Sequence, residues 1–393
     1  MSDFELYVHL PFCVQKCLYC DFTSGVFDGR LQRDYLKVIC EEIKESACRY
    51  KGRLSSVYIG GGTPSMLPLY FIEEICNTIS DNFEILPGAE ISIEANPGTV
   101  TREKAKGYLD LGINRISMGL QSADDAELKR LGRIHSYRDF LESYDSLRKA
   151  GFPNINIDLM SGLPGQTQDS LAASLKEVLL LRPEHISVYS LIIEEGTPFY
   201  DMYHEDALRQ EKGEDTMFLP GEDETVSMLH LTENLLLTSG YNKYEISNFS
   251  KPGFECRHNI GYWKRTPYVG VGLGAASLIS PDILREGDMG SAFEVRYANT
   301  KDMKTYLYGE KIGGFEELKK SDAMSEFMFL GLRMTEGISI SEFYEAFGIT
   351  PDAIYKEHFR KLSERNLIIN EDGRIRLTPF AMDVSNIVLA AFV

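Results

Sequence analysis

Three cysteines lie within eight positions near the start of this 393-residue chain, namely Cys13, Cys17 and Cys20. Their spacing is CxxxCxxC, and they follow a predicted β-strand at residues 5–10. Cysteine thiolates hold Fe–S clusters, and three of them leave one iron of a [4Fe–4S] cluster open for a small ligand. A zinc site is less favoured, because no second cysteine pair exists and the nearby His9 falls inside the strand.

The remaining cysteines are scattered, and the total of seven is odd. Because no secretory signal is visible, a disulfide framework is not expected. We expect Cys40, Cys48 and Cys76 to be small buried hydrophobic residues.

The overall composition indicates a globular protein with a net charge of −18 and no apolar run long enough to span a membrane. Nucleic acid is a poor partner for such a surface, because its binding depends on Lys and Arg neutralising phosphates. The predicted location is the cytoplasm, with peripheral attachment at the inner face of the membrane kept open.

Six short, apolar segments alternate with amphipathic helical stretches between residues 5 and 192. Continuous apolar runs are typical of strands covered on both faces, and the alternation predicts a parallel α/β array. Six units in place of eight predict an incomplete, laterally open barrel. Ligands of such arrays bind at the carboxyl ends of the strands, where the glycine-rich and polar motifs of this chain occur.

The second half of the chain has a different pattern. We predict a surface excursion at 201–225, a helix at 226–240, a strand at 241–249 and an aromatic segment at 256–268. From about residue 315, three helices, a hairpin and a final helix give a winged-helix-like order. This unit is interpreted as a packing or dimerisation appendage, since its acidic residues disfavour DNA binding.

The cysteine motif, with Tyr19 before its last Cys, resembles that of the radical S-adenosylmethionine (SAM) superfamily. The segments YVHLPFC, GGGTPS, IEANP, RISMGLQS, LGRIH and NIDLMSGLPGQT resemble, more closely, the family of oxygen-independent coproporphyrinogen III oxidase (HemN) and the heme chaperones (HemW). The resemblance runs from about Leu6 to the C-terminus. It implies a (βα)6 TIM-like radical SAM barrel with a C-terminal winged-helix-like domain, divided at 1–200, 201–310 and 311–393.

The resemblance also implies that the open iron chelates SAM and that reduction yields a 5′-deoxyadenosyl radical. Carried over by position, the SAM contacts are Tyr7, Gly61, Gly62, Thr63, Glu94, Gln121, Arg133 and Asp158. A carboxylate such as Glu94 can accept hydrogen bonds from ribose, and Arg133 can fork onto a carboxylate. The glycine turn can offer N–H groups to a ligand. Taken singly, each charged residue could instead form a strand-end salt bridge.

Two features separate the members of this family. The oxidase has a fourth cysteine two residues after the third, where this chain has Phe22, and a longer N-terminal region. The segment CRHNIGYW at 256–263 instead resembles the HNxxYW signature of the heme chaperones, which involves His258, Asn259, Tyr262 and Trp263. A histidine can ligate heme iron and aromatic rings can cover a porphyrin. Cys256 is an alternative ligand, and a polar turn with His258 capping backbone is the alternative structure.

The leading hypothesis is therefore a heme chaperone that binds a [4Fe–4S] cluster, SAM and heme. It would deliver heme to membrane apoproteins such as respiratory enzymes, with homodimerisation also expected from the resemblance. The alternative is an enzyme that oxidatively decarboxylates coproporphyrinogen III propionates to vinyl groups. Another radical SAM reaction is a third hypothesis.

Overall fold

The first half of the chain is a parallel α/β array, in a computed structural model that describes residues 3–285 and 291–393. Its strands are β1 (Asp3–Leu10), β2 (Arg53–Gly61), β3 (Glu84–Ala95), β4 (Arg115–Gln121), β5 (Ile155–Ser161) and β6 (His185–Ser190). The helices between them are α1 (Gly29–Arg49), α2 (Leu69–Asn82), α3 (Arg102–Asp110), α4 (Asp125–Arg130), α5 (Tyr137–Ala150) and α6 (Gln168–Leu181). Adjacent strands pair in parallel in chain order, which confirms the predicted array.

Shorter strands extend this sheet at both edges. They are β7 (Asn242–Lys243), β8 (Asn248–Ser250), β9 (Tyr268–Val271), β10 (Ala276–Ile279), β11 (Glu294–Asn299) and β12 (Ile312–Leu318). The resulting order is β12-β11-β10-β9-β1-β2-β3-β4-β5-β6-β8-β7. Within the described residues β1 and β6 do not pair, so the barrel is open, as predicted.

Strand β4 shows how the sequence assigns the two faces of the sheet. All seven of its residues are buried. Ile116, Met118 and Leu120 alternate along it and belong to the main apolar core. The intervening residues, among them Ser117 and Gly119, line a cavity on the concave face. Because successive side chains of a strand point to opposite faces, one short segment serves both the core and the cavity.

The helices of the middle region are α7 (Pro198–Glu211), α8 (Glu222–Thr238), α9 (Arg257–Trp263) and α10 (Met303–Tyr308). Helix α7 occupies the first part of the predicted surface excursion. The prediction of one strand at 241–249 is wrong, since β7 and β8 are two short antiparallel strands. Between them the Tyr244 N–H donates to the carbonyl oxygen of Asn248, which closes a turn in place of a continuous strand.

The C-terminal unit has the predicted winged-helix-like order. It contains α11 (Lys320–Gly331), α12 (Ile340–Phe347), α13 (Pro351–Glu364), α14 (Pro379–Asp383) and α15 (Ser385–Leu389), with β13 (Ile338–Ser339), β14 (Ile368–Glu371) and β15 (Arg374–Leu377). Its three strands form a separate sheet, and its helices share an apolar core around Phe343 and Phe359. The divisions at 200 and 310 stay predictions, but the large sheet continues through β12 to Leu318.

The scattered cysteines only partly follow their prediction. Cys40 is buried and Cys76 is partly buried, but Cys48 is exposed because it lies on the outer face of α1 near its end. None of the described helices is long and apolar enough to cross a membrane.

Candidate functional site

The three cysteines of the N-terminal motif line one cavity of about 330 Å³ at the carboxyl ends of the parallel strands. They lie on the loop after β1, which is held in place because the Cys13 N–H donates to the carbonyl oxygen of Gly25 at 2.9 Å. No three His, Cys, Asp or Glu side chains in the described ranges are gathered closely enough to hold one metal ion. That criterion concerns a single ion, whereas in a cubane cluster the thiolates bind different irons.

The glycine turn after β2 packs directly on this cysteine loop. Gly61 has a φ of +116°, and a Cβ there would lie 2.7 Å from the ring of His9. At Gly62 a Cβ would lie 2.6 Å from the carbonyl oxygen of Phe12 and 2.9 Å from the sulfur of Cys13. The glycines are therefore needed for close approach between the strand end and the loop.

The N–H groups of this turn are already used within the protein. Gly61 donates to the Glu94 carboxylate at 3.0 Å. The N–H groups of Gly62 and Thr63 donate to carbonyl oxygens of β1 and the cysteine loop at 2.8 and 2.7 Å. The prediction that these N–H groups serve a ligand is therefore wrong, because each one has a protein acceptor.

Two carboxylates line the same cavity, Glu94 near the end of β3 and Asp158 in the middle of β5. Glu94 accepts hydrogen bonds from Tyr58 Oη and the Gly61 N–H, both at 3.0 Å. Burial raises the pKa of Glu94 to about 7. Asp158 accepts from Asn156 Nδ2 at 2.7 Å and from Ser117 Oγ at 3.1 Å, and burial also raises its pKa. Neither carboxylate forms a direct ion pair among the described residues, which contradicts the strand-end salt-bridge alternative.

Gln121 and Arg133 complete the predicted SAM contacts on this cavity. Gln121 ends β4 with a left-handed φ of +68°, and its buried Oε1 lacks a hydrogen-bond partner in the described structure. A buried unpaired acceptor in a cavity is a position that a bound ligand can satisfy. Arg133 donates to the Cys17 sulfur at 3.5 Å and to Asn96 Oδ1 at 2.9 Å.

Tyr7 differs from the other predicted SAM contacts. Its hydroxyl lies 3.0 Å from His9 Nδ1, and its side chain lines a second cavity of about 460 Å³ in place of the first. The second cavity lies at the β1, β9 and β10 side of the sheet, against α9 and α11. Its walls are Tyr7, Tyr262, Trp263, Arg265, Tyr268, Ala276, Leu278, Arg296, Glu326, Phe329 and Leu330.

Helix α9 carries the HNIGYW segment and separates the two cavities. Asn259 lines the first cavity, whereas Tyr262 and Trp263 line the second. The Trp263 ring stacks on the Arg333 guanidinium at 4.4 Å, and its Nε1 is buried and unpaired in the described part of the chain. Asn259 and the pair Tyr262 and Trp263 are therefore close in the chain but line different cavities.

His258 lies between the cavities and is 1% exposed. Its Nδ1 is 2.8 Å from Ser56 Oγ and its Nε2 is 3.1 Å from Tyr262 Oη. The imidazole stacks on Tyr58 with centroids 5.1 Å apart. Burial lowers the pKa of His258 to about 3, so the ring is neutral at physiological pH. His258 therefore bonds to side chains, and the alternative in which it caps backbone is wrong.

The position of α9 is fixed by two buried glutamates. Glu90 accepts from the Arg257 N–H at 3.1 Å and from the Cys256 thiol at 3.3 Å, which places a carboxylate at the helix N-terminus. At Gly261 a Cβ would collide with the Glu5 carboxylate, so the glycine of the segment lets the helix pack against β1. Cys256 is fully buried in this arrangement.

Several residues of the site were missed from the sequence. Tyr58, Asn96 and Arg115 line the first cavity, and Arg115 is 2% exposed with buried Nε and Nη1 atoms unpaired among the described residues. Asn96 and Arg115 belong to the segments IEANP and RISMGLQS, so their place within these segments was the signal that the sequence offered. No sequence signal indicated that Glu5 faces Gly261.

The chain is similar to known proteins over almost its whole length. The radical SAM superfamily matches residues 7–178, and the HemN C-terminal domain matches residues 318–384. The heme chaperone HemW of Lactococcus lactis subsp. lactis (strain IL1403) is 35% identical over 389 residues, which cover 98% of this chain and 96% of that protein. The heme chaperone HemW of Bacillus subtilis (strain 168) is 34% identical over 397 residues, which cover 98% of each chain.

Among solved structures, the fold is similar to that of coproporphyrinogen III oxidase (HemN) from Escherichia coli, described as a radical SAM enzyme. The TM-score is 0.80 at 22% identity, covering 100% of this chain and 90% of that one. At this level of identity the likeness concerns the fold.

Proposed function

Because this chain belongs to the HemW family of radical SAM proteins, we propose that it binds heme and transfers it to membrane apoproteins such as respiratory heme enzymes. The radical SAM superfamily implies a [4Fe–4S] cluster and SAM as cofactors. The assignment of individual residues to these groups, and to heme, forms part of the proposal. Homodimerisation and contact with the inner face of the membrane belong to it as well.

Cys13, Cys17 and Cys20 would hold the cluster, and the cavity beside them would hold SAM. When bound, the reduced cluster supplies the electron that cleaves SAM. Gln121 Oε1, which is buried and unpaired in the described structure, gives this cavity an acceptor for a donor group of SAM. Glu94 would accept from ribose hydroxyls. Since the N–H groups of the glycine turn are occupied, the backbone of that turn can offer a ligand only carbonyl oxygens.

The observation that carries heme binding is the hydrogen bonding of His258. Ser56 Oγ donates to Glu5 Oε1 at 3.1 Å, so His258 Nδ1 is the group that donates to Ser56. His258 Nε2 then carries the lone pair and accepts from Tyr262. Histidines that ligate metals commonly donate their other ring N–H to a carboxylate, carbonyl or water, which fixes the ring and its tautomer. Here Ser56 and Glu5 supply that support.

The second cavity supplies surroundings suited to a porphyrin. Tyr262, Trp263 and Tyr268 offer aromatic faces. Arg296 also lines this cavity, where its Nη2 donates to both carboxylate oxygens of Glu326 at 2.7 Å. A propionate would therefore pair with this guanidinium in exchange for Glu326. His258 Nε2 would ligate heme iron, which requires that the Tyr262 hydroxyl no longer covers this nitrogen.

Heme titration followed by Soret absorbance tests this proposal. We expect His258→Ala to weaken binding and change the Soret position, because the nitrogen that would ligate the iron is lost. His230→Ala is the matched control, since His230 lies on α8 with a 55% exposed side chain. Equal heme binding in wild type and His258→Ala would remove His258 as the ligand, and absence of heme binding in the wild type would refute the proposed function.

Coproporphyrinogen III oxidation is the second candidate function. The observation in its favour is the set of carboxylates and Arg133 on one cavity with the cysteines, which an enzyme that cleaves SAM would need. Phe22 stands where the oxidase has its fourth cysteine, and it is 63% exposed at the cavity wall. Anaerobic conversion of coproporphyrinogen III in the presence of SAM and reductant would favour the oxidase. Absence of conversion by protein with a full cluster would favour the chaperone.

A further inference from the structure

A chain of hydrogen bonds connects the sulfur atoms of Cys17 and Cys13 through three other side chains. Arg133 Nη1 donates to Cys17 Sγ at 3.5 Å, and Arg133 Nη2 donates to Asn96 Oδ1 at 2.9 Å. Asn96 Nδ2 donates to Thr63 Oγ1 at 2.8 Å. Thr63 Oγ1 lies 3.7 Å from Cys13 Sγ, within reach of a hydrogen bond to sulfur. The chain thus begins at one cysteine sulfur and ends at another.

The direction of each hydrogen bond in this chain follows from chemistry. A guanidinium only donates, so the Asn96 atom facing Arg133 must be the amide oxygen. The Asn96 amino group therefore faces Thr63 and occupies an acceptor position of its hydroxyl. The single proton of Thr63 is then free to point to Cys13. Asn96 thereby decides that Thr63 donates to sulfur.

The surrounding backbone holds Asn96 in this orientation. Its own N–H donates to Ser65 Oγ at 3.1 Å. Gly119 leaves room for the hydrogen bond between Arg133 and Asn96, since a Cβ there would lie 3.1 Å from Asn96 Oδ1 and 3.3 Å from Arg133 Nη2. The Gly119 carbonyl also accepts from Arg133 Nη2 at 2.8 Å. Contacts from three separate segments thus keep Asn96 Oδ1 toward Arg133, which leaves the amino group toward Thr63.

We propose that Asn96 is a positioning residue that sets the reduction potential of the cluster by directing the Thr63 hydroxyl to Cys13. Hydrogen bonds to the sulfur ligands are one of the levers that tune an Fe–S cluster. A donor at each of two thiolates stabilises the added negative charge of the reduced cluster, so the potential is raised. This inference rests on the cluster ligands named above and does not depend on heme.

The decisive variant is Asn96→Asp, which has the same shape but no donor. Its new carboxylate accepts from Arg133 and also accepts from Thr63, so the hydroxyl turns away from Cys13. Thr63→Val removes the same hydrogen bond without adding charge, and Thr63→Ser retains it as the matched control. Asn96→Leu is the neutral second variant and covers the case in which Asn96→Asp folds poorly.

Each variant is reconstituted anaerobically and compared at equal iron content, and the cluster is titrated with reductant by EPR and absorbance. We expect Asn96→Asp, Asn96→Leu and Thr63→Val to lower the potential, with about a tenfold change in the reduction equilibrium, or about 59 mV for one electron. Thr63→Ser should match the wild type. In the Thr63→Val background the Asn96→Leu substitution should lower the reduction potential little further.

An undiminished effect of Asn96→Leu in the Thr63→Val background would overturn the inference, because Asn96 would then act without Thr63. A wild-type potential in Thr63→Val would overturn it as well. A protein that shows the expected shifts but binds no heme would refute the proposed function and support this inference, so the two failures are distinguishable.

Discussion

Glu94→Gln should stabilise the protein at alkaline pH while weakening SAM binding. Glu94 lies on the wall of the first cavity, where burial raises its pKa from 4.5 to about 7. A carboxyl whose pKa is raised on folding favours the native state when protonated. Its contribution is therefore fully present below pH 4.5 and is lost as the pH rises through 7. A neutral glutamine does not have this dependence.

The size of the effect follows from the two pKa values. Between pH 5 and pH 8 the wild type should lose about 2.5 kcal/mol of unfolding free energy relative to Glu94→Gln. This is an upper value, because the cavity admits water to the carboxylate. For a chain of this size it corresponds to roughly 5 °C in melting temperature. SAM affinity should fall about tenfold, because a charged acceptor for the ribose hydroxyls is lost.

Thermal melts of both proteins at pH 5, 6, 7 and 8, with matched cluster content, measure the first effect, and calorimetric SAM titration measures the second. Glu142→Gln is a suitable control, since Glu142 forms an exposed ion pair with Arg138 on α5. Parallel pH profiles for wild type and Glu94→Gln would refute the reasoning, because they would mean that Glu94 ionises equally in the folded and unfolded chains.

Two further predictions concern α9. Gly261→Ala should destabilise the protein by about 1–3 kcal/mol, because the new Cβ collides with the Glu5 carboxylate. Thermal melts measure this effect. Gly314→Ala on β12, where a Cβ meets open space, is the control and should leave the melting temperature nearly unchanged. Tyr262→Phe should tighten heme binding by about three- to tenfold, because the hydrogen bond that covers His258 Nε2 no longer has to be broken. Soret titrations measure the heme affinity. Unchanged or weaker affinity would show that the Tyr262 hydroxyl does not obstruct heme binding at His258.

The parallel half of the fold was predictable because its strands are short segments rich in Ile, Val and Leu that alternate with amphipathic helices. The alternation in RISMGLQ even determines which residues of β4 line the cavity. The break between β7 and β8 was not predictable in the same way. Aromatic and β-branched residues at 241–249 favour a strand, but the Tyr244 N–H is used in a turn.

Within the site, the cysteine spacing and the strand-end motifs located the first cavity, since both depend on positions close in sequence. Contacts between distant segments gave no such signal. Tyr7 was assigned to SAM by its distance from Cys13, yet the structure places it on the second cavity. Cys256 was considered as a heme ligand, but its thiol is directed to Glu90, 166 residues away.

Helix α9 has a thermodynamic consequence because it is the wall shared by the two cavities. Tyr58 donates to Glu94 at the first cavity and stacks on His258, whose Nε2 accepts from Tyr262 at the second cavity. A ligand that shifts Tyr58 thus changes the surface against which His258 packs. Coupling free energies are reciprocal, so any effect of SAM on heme affinity must equal the effect of heme on SAM affinity. Under the proposed function, occupancy of one cavity would be a means of controlling release from the other.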